Sequence, residues 1–320
     1  MIILRPLPTS PPLLTGMSSA LEEEIKTLVG GGAIPVSETC DVSSCTPRPL
    51  RLRHNACYIV MAVILNEQNE VLIMQEAKPD CWGSWYLPAG RLEKGETLVE
   101  GLSREVKEET GLLCQPLTLL TVEERGTAWI RFVFLAQHTG GSLKTTSCAD
   151  SESLQAMWWD MASSLPLRCK DILPLIRLGQ EYRRLPSHPS ILPALSASPH
   201  LTIRLILACL CSDGKMWVLK SASEPPHLPF LVSGPCRGSI LTIIQRILSE
   251  PPSYFGILGV QHQGGEGADG VCFNMMGGIH ASEPPAITPE SLCWVHLEDE
   301  ELRVELEQIL SRHTLLPLYS

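Results

Sequence analysis

Residues 90–112 read GRLEKGETLVEGLSREVKEETGL and fit the pattern G-x5-E-x7-R-E-U-x-E-E-x-G-U, in which U is apolar. At ordinary residue usage the seven fixed positions coincide by chance on the order of once per hundred million starting points. The pattern constrains local structure directly. Val99, Leu102 and Val106 recur at helical spacing, so 97–110 is read as a helix with one apolar stripe. Glu105, Glu108 and Glu109 then stand at i, i+3 and i+4, and a single turn projects three carboxylates. Such neighbours repel, by roughly a few tenths of a kcal/mol per pair in an isolated helix, so positive charge is expected beside them.

A divalent cation meets that need. Hard oxygen donors without paired His or Cys favour Mg2+, with Mn2+ as substitute, over zinc. Such an ion bridges protein carboxylates and substrate phosphates, which points to phosphate chemistry. Arg104 is placed to orient a neighbouring carboxylate, Gly90 and Gly95 let the preceding loop bend closely, and Gly111 is a natural helix stop.

The 320 residues exceed one typical domain, and 44% hydrophobic content supports real cores. A net charge of −10 excludes the basic surface that a nucleic-acid polymer requires, while small phosphorylated ligands stay compatible through a metal ion. Twelve cysteines without C-x-x-C pairs are expected as reduced thiols in an intracellular, cytoplasmic setting. No apolar run suits a membrane span, and residues 1–16, broken by Pro6, Pro8, Pro11 and Pro12, make a poor signal peptide. Residues 1–53 are expected as a flexible segment with one short helix, entered through a capping box at Ser19 and ended by Gly30-Gly31-Gly32.

From residue 54 the order is strand (57–65), strand (71–76), the acidic helix, strands at 117–124, 129–137 and 156–159, and a closing amphipathic helix at 171–183. This is an α/β arrangement with its site in the strand-to-helix loop. On the 23-residue motif the region 54–183 resembles the Nudix hydrolases. That resemblance implies a mixed sheet between helices and a metal held by Glu105, Glu108, Glu109 and the Gly90 carbonyl, with Glu96 an outer candidate and Arg104 beside them. The segments CYIVMAVILNEQNEVLIMQEAK, GSWYLPAG, VEERGTAWIRFVFLA, TGGSLKT and DSESLQAMWW resemble one member closely. The implied activity is hydrolysis of oxidised purine nucleoside diphosphates, 8-oxo-dGDP and 8-oxo-GDP among them, to the monophosphate and phosphate. By the same resemblance Leu72, Glu76, Tyr86, Trp158 and Asp171 are the candidates for reading the base. The spacing leaves open which carboxylate of the acidic cluster is the general base, and Glu152, on the loop before Trp158, is a second possibility. Another nucleoside diphosphate derivative as substrate, or a binding module without turnover, are the alternatives.

A Pro- and Ser-rich stretch at 184–200 reads as a linker, and 201–320 repeats the first half in outline. Leu228-Pro229 stands 141 residues after Leu87-Pro88, and Ile240, Ile243 and Ile247 stand 141 after Val99, Leu102 and Val106. At that offset Arg237, Arg246 and Ser249 replace Glu96, Glu105 and Glu108, and only Glu250 matches Glu109. The expectation is a degenerate Nudix-like α/β domain without metal, serving packing, the substrate cleft or a homo-oligomer.

Overall fold

The computed structural model describes residues 17–37, 40–43, 48–126, 128–233, 240–248 and 252–319. Helix α1 (Ser19–Val29) is capped by Ser18, whose hydroxyl accepts the Leu21 N–H at 3.3 Å, one residue earlier than expected, and Gly30 ends it. It is not loose. Leu21, Ile25 and Leu28 are at most 2% exposed and pack against Met216, Val218, Leu302 and Leu306 of the second half. Strand β1 (Val42–Ser43) also pairs within that half, so the described part of the leading segment docks there.

The first half carries β2 (Cys57–Ile64), β3 (Val71–Glu76), β4 (Trp85–Tyr86), β5 (Ala89–Arg91), α2 (Leu98–Thr110), β6 (Leu112–Glu124), β7 (Trp129–Gly141), β8 (Ser153–Trp159) and α3 (Ile172–Arg184). Apolar runs buried on both faces make β2 a central strand, parallel to β7 and antiparallel to β5, while β6 pairs antiparallel with β7. A smaller sheet runs β4-β3-β8. Leu98, Leu102 and Val106 are fully buried and seat α2 on the core, with Leu98 taking the place that the spacing assigned to Val99.

The second half contains β9 (Leu201–Cys211), β10 (Met216–Ser221), β11 (Phe230–Ser233), α4 (Ile240–Ile244), β12 (Tyr254–Gln261), β13 (Val271–Ala281), β14 (Leu292–His296) and α5 (Glu300–Arg312), followed by β15 (Leu318–Tyr319). Its pairings match those of the first half in order and direction: β9 lies parallel to β13 and antiparallel to β11, β12 pairs with β13, and β10 pairs with β14. Registers match as well. Val60 opposite Phe132 corresponds to Ile203 opposite Phe273, and Leu72 opposite Trp158 to Leu219 opposite Trp294. The Ala62 N–H bond to the Pro88 carbonyl, 2.9 Å, corresponds to Leu205 N–H on Pro229, 3.0 Å. Arg246 is exposed on the turn after α4; Arg237, Ser249 and Glu250 lie outside the described residues.

The halves share one core. Phe132 and Phe273, corresponding residues, stack at 6.3 Å with their rings 16° apart. The stretch 184–200 is no free tether, for Leu119 N–H bonds to the Ile191 carbonyl at 2.8 Å and Ala194 N–H crosses to the Val260 carbonyl at 2.9 Å. The C-terminal segment does the reverse: Ile257 N–H bonds to the Leu316 carbonyl at 2.9 Å, and β15 crosses to pair with β6 at Val122.

Glu124, 6% exposed, joins the halves by accepting the Ile240 N–H at 2.7 Å. Burial pushes its carboxyl up to about 6, although the Ile240 bond opposes the shift. The folded pKa exceeds the unfolded one, so this group favours folding below the ordinary glutamate range and loses that contribution as pH rises through about 6. Glu124→Gln keeps an oxygen for Ile240 and removes the buried charge. Thermal denaturation should show it more stable than the parent by about 2 kcal/mol at pH 7.5 and equal to it near pH 4.5; no pH dependence in the difference would refute this account.

Candidate active site

Local sequence builds the site from the loop before α2. Thr97 and Glu100 form a reciprocal capping box: Glu100 N–H bonds to the Thr97 hydroxyl at 3.2 Å, and Thr97 N–H to the Glu100 carboxylate at 2.9 Å. Gly111, at φ 76°, ends the helix in the left-handed region, where a Cβ would lie 2.3 Å from the Ser142 carbonyl oxygen. The acidic turn is thereby held at both ends.

Arg104 makes more bonds than the single orientation expected. Its Nε and Nη2 donate to both oxygens of Glu96 at 2.5 and 2.9 Å, and Nη1 donates to Glu105 at 2.8 Å and Glu108 at 3.0 Å. Nη2 also reaches the Arg91 carbonyl at 3.2 Å. The bidentate pair holds the Glu96 carboxyl below its ordinary range. Burial pushes Glu105 up, against Arg104, with the Glu152 and Glu108 charges adding to the rise. Glu109, 2% exposed, is raised strongly by burial although it accepts the Ala89 N–H at 2.8 Å. Gly90 is where the chain must pass the Glu105 carboxylate: a Cβ there would lie 2.0 to 2.2 Å from its carbon and oxygens.

Glu105, Glu108 and Glu152 each bring one oxygen within 4.8 Å of the others. Three hard donors at that spacing fit a divalent ion. Glu109 stands outside this trio, turned onto the Ala89 amide. Glu152 comes from the loop before β8, and Lys144 holds it there. The buried Lys144 ammonium donates to the Glu108 carbonyl at 3.0 Å, to Asp150 at 2.6 Å and to Ser153 at 2.7 Å, while Asp150 accepts the Glu152 N–H at 2.9 Å. No local spacing in the sequence signals Lys144.

The base-reading candidates separate. Tyr86 donates to Asp171 at 3.1 Å, and Arg131 donates to Asp171 at 2.8 Å and to the Tyr86 oxygen at 3.1 Å while also bonding Glu123. Burial raises the Tyr86 hydroxyl to about 12. Burial would raise Asp171 too, but the Arg131 bond holds it below its usual range. Arg168 pairs with Glu76 at 2.6 Å and lies over the Tyr86 ring at 5.1 Å, so Glu76, Tyr86 and Asp171 belong to one cluster. Asp171, at the start of α3, caps no amide with its side chain. Leu72 is fully buried in the core and offers a ligand no surface. Trp158 lies away from the cluster, edge-on to His138 at 6.1 Å, in a separate cavity of about 670 Å³. Beside Arg168 a cavity of about 370 Å³ is lined by Cys81, Trp82 and Ser84, and Trp82 is 65% exposed. Trp82 and Arg168 escaped sequence reasoning; an aromatic between Cys81 and Gly83 was the only signal available.

This helix, its acidic turn and the surrounding sheets define a class: the chain belongs to the Nudix hydrolase family. The NUDIX domain family matches residues 57–174, and the mixed α/β fold is the one that the family implies. Similarity to individual proteins extends much further. The chain is 45% identical over 291 residues to the human protein named 8-oxo-dGDP phosphatase NUDT18, covering 85% of this chain and 90% of that protein. It is 44% identical to the mouse protein of the same name, over 94% of this chain and 99% of that one. A putative nudix hydrolase 1 of Caenorhabditis elegans is 38% identical over 57% of this chain and 53% of its own length.

Proposed function

We propose that the chain hydrolyses oxidised purine nucleoside diphosphates, 8-oxo-dGDP and 8-oxo-GDP among them, to the monophosphate and phosphate, using Mg2+ or, in its place, Mn2+. The observation that carries this reading is the oxygen trio Glu105, Glu108 and Glu152, two of whose members are gripped by Arg104. These carboxylates and the Gly90 carbonyl would hold the ion, with Glu109 close by. When bound, a divalent ion neutralises phosphate oxygens and lowers the pKa of an attacking water. Arg104 fixes the carboxylates so that little reorganisation accompanies attack, and a carboxylate of the same cluster takes the water's proton.

Base choice follows from Glu76. Its Oε2 is buried and has no hydrogen-bond partner among the described residues, an acceptor in want of a donor. Oxidation at C8 turns N7 of guanine from an acceptor into an N–H donor, which such an oxygen accepts; the lone pair of intact guanine is repelled. Arg168, 44% exposed, is the movable member of its pair with Glu76, and Trp82 offers a face on which a purine stacks. Tyr86 and Asp171 line the same cluster.

Nucleoside monophosphate formation from 8-oxo-dGDP, dGDP, ADP-ribose and a nucleotide sugar, with either metal, is the test. The oxidised diphosphates should lead dGDP by roughly 10- to 100-fold in kcat/KM, and a lead for the intact diphosphate or the sugar would overturn the assignment. Ten cysteines among the described residues are free thiols, which suits a cytoplasmic, reducing setting. No helix among the described residues is long and apolar enough to cross a membrane. A homo-oligomer through the second half would use surfaces other than the Phe273 face, which is already covered within the chain.

A further inference from the structure

The loop joining β12 to β13 reaches across to the metal-binding loop. Gly264, at φ +74°, passes so close that a Cβ there would lie 2.3 Å from the Glu96 carbonyl oxygen and 3.2 Å from the Gly95 carbonyl carbon. The loop is fastened on both sides of this contact. His262, fully buried, has its Nδ1 2.8 Å from the Gly270 carbonyl oxygen and its ring edge-on to Tyr58 at 5.8 Å. The Asp269 carboxylate accepts the Leu52 N–H at 2.9 Å, and Gly270 N–H bonds to the Ser198 carbonyl at 2.8 Å. From Gly264 the contacts run without a gap to Glu96, from Glu96 to Arg104, and from Arg104 to Glu105 and Glu108.

The reverse contact also exists. Glu124 ends β6 as His262 follows β12, the strand registers place them at corresponding positions, and Glu124 holds the Ile240 N–H at the start of α4. Matching pairings, stacked Phe132 and Phe273, and exchanged post-helix segments are what two copies of one fold give when packed about an approximate twofold axis. Only the first copy keeps the acidic turn.

We propose that residues 201–320 are a non-catalytic copy of the catalytic unit, fused to it as a resident partner, whose loop at Gly264 positions Glu96 and through it the Arg104 grip on the metal-binding carboxylates. Gly264 touches no reacting atom; it is a positioning residue. The inference rests on the metal-site reading above, and its test separates the two.

Gly264→Ala is compared with Gly267→Ala. Both glycines sit in the same loop at nearly the same φ, +74° and +73°, but a Cβ at Gly267 meets nothing within 4 Å. The two changes therefore strain the backbone alike and differ in the push on Glu96. Mn2+ binding to nucleotide-free protein, followed by electron paramagnetic resonance, should weaken roughly 10- to 100-fold in Gly264→Ala, with a matching fall in kcat at saturating nucleotide. Gly267→Ala should bind Mn2+ as the parent does. Equal affinity in Gly264→Ala and parent overturns the inference, as does an equal loss in both variants. A parent protein that holds no Mn2+ overturns the metal site itself. Hydrogen exchange on the unsubstituted protein covers the case in which Gly264→Ala does not fold. Because coupling is reciprocal, saturating Mg2+ should slow exchange across 262–270, and unchanged exchange there overturns the inference.

Discussion

Glu105→Gln should abolish metal-dependent turnover, by roughly a thousandfold in kcat, while leaving a fold at least as stable as the parent. The two effects have one origin. Glu105 is 7% exposed, and burial together with the charges of Glu152 and Glu108 raises its carboxyl despite Arg104. A group whose folded pKa is raised contributes stability below its unfolded pKa and loses it as pH rises, so at neutral pH the charged form works against folding. An amide removes that penalty together with an anionic ligand. Turnover of 8-oxo-dGDP and thermal denaturation at pH 7.5 check both halves. Retained activity would remove Glu105 from the site, and a large loss of stability would contradict the electrostatic account.

Gly90→Ala should lower kcat on the order of a hundredfold and raise the Mg2+ concentration needed for half-maximal rate, with KM for the nucleotide little altered. The added methyl would stand 2.0 Å from the Glu105 carboxylate carbon, so either that side chain or β5 must move. Because Arg104 ties Glu105 and Glu108 together, displacement of one carboxylate disturbs both. A titration of rate against Mg2+ is decisive: an unchanged metal requirement would show that the close passage at Gly90 has no bearing on ion binding.

The acidic helix was legible because its signals are local. Apolar spacing, the charge cluster and a terminal glycine all fall within fourteen residues, and the helix observed at 98–110 follows them except that Leu98 replaces Val99 on the buried face. Glu152 entered the reading only as a candidate base, because its approach to Glu105 depends on β8 being carried beside α2 and on Lys144 fastening the loop. Leu72 and Trp158 were proposed on likeness of position. A strand residue's role depends on which face it turns to and what covers that face, so Leu72 ends in the core and Trp158 beside His138. The offset of 141 residues exposed the likeness of the halves around Leu87-Pro88 and the helix, whereas Phe132 on Phe273 and the crossing of 191–194 and 316–319 required coordinates. Pro- and Ser-rich composition marks chain without regular structure and says nothing of whether that chain is bound.

The two crossing segments have a consequence for behaviour in dilute solution. A partner that docks from the same polypeptide arrives at an effective concentration in the millimolar range, whatever the abundance of the protein, so the catalytic unit cannot lose its neighbour by dissociation. Specific activity should therefore be indifferent to how few molecules a compartment contains. A substitution at the seam also alters one side alone, where a symmetric dimer would register it twice.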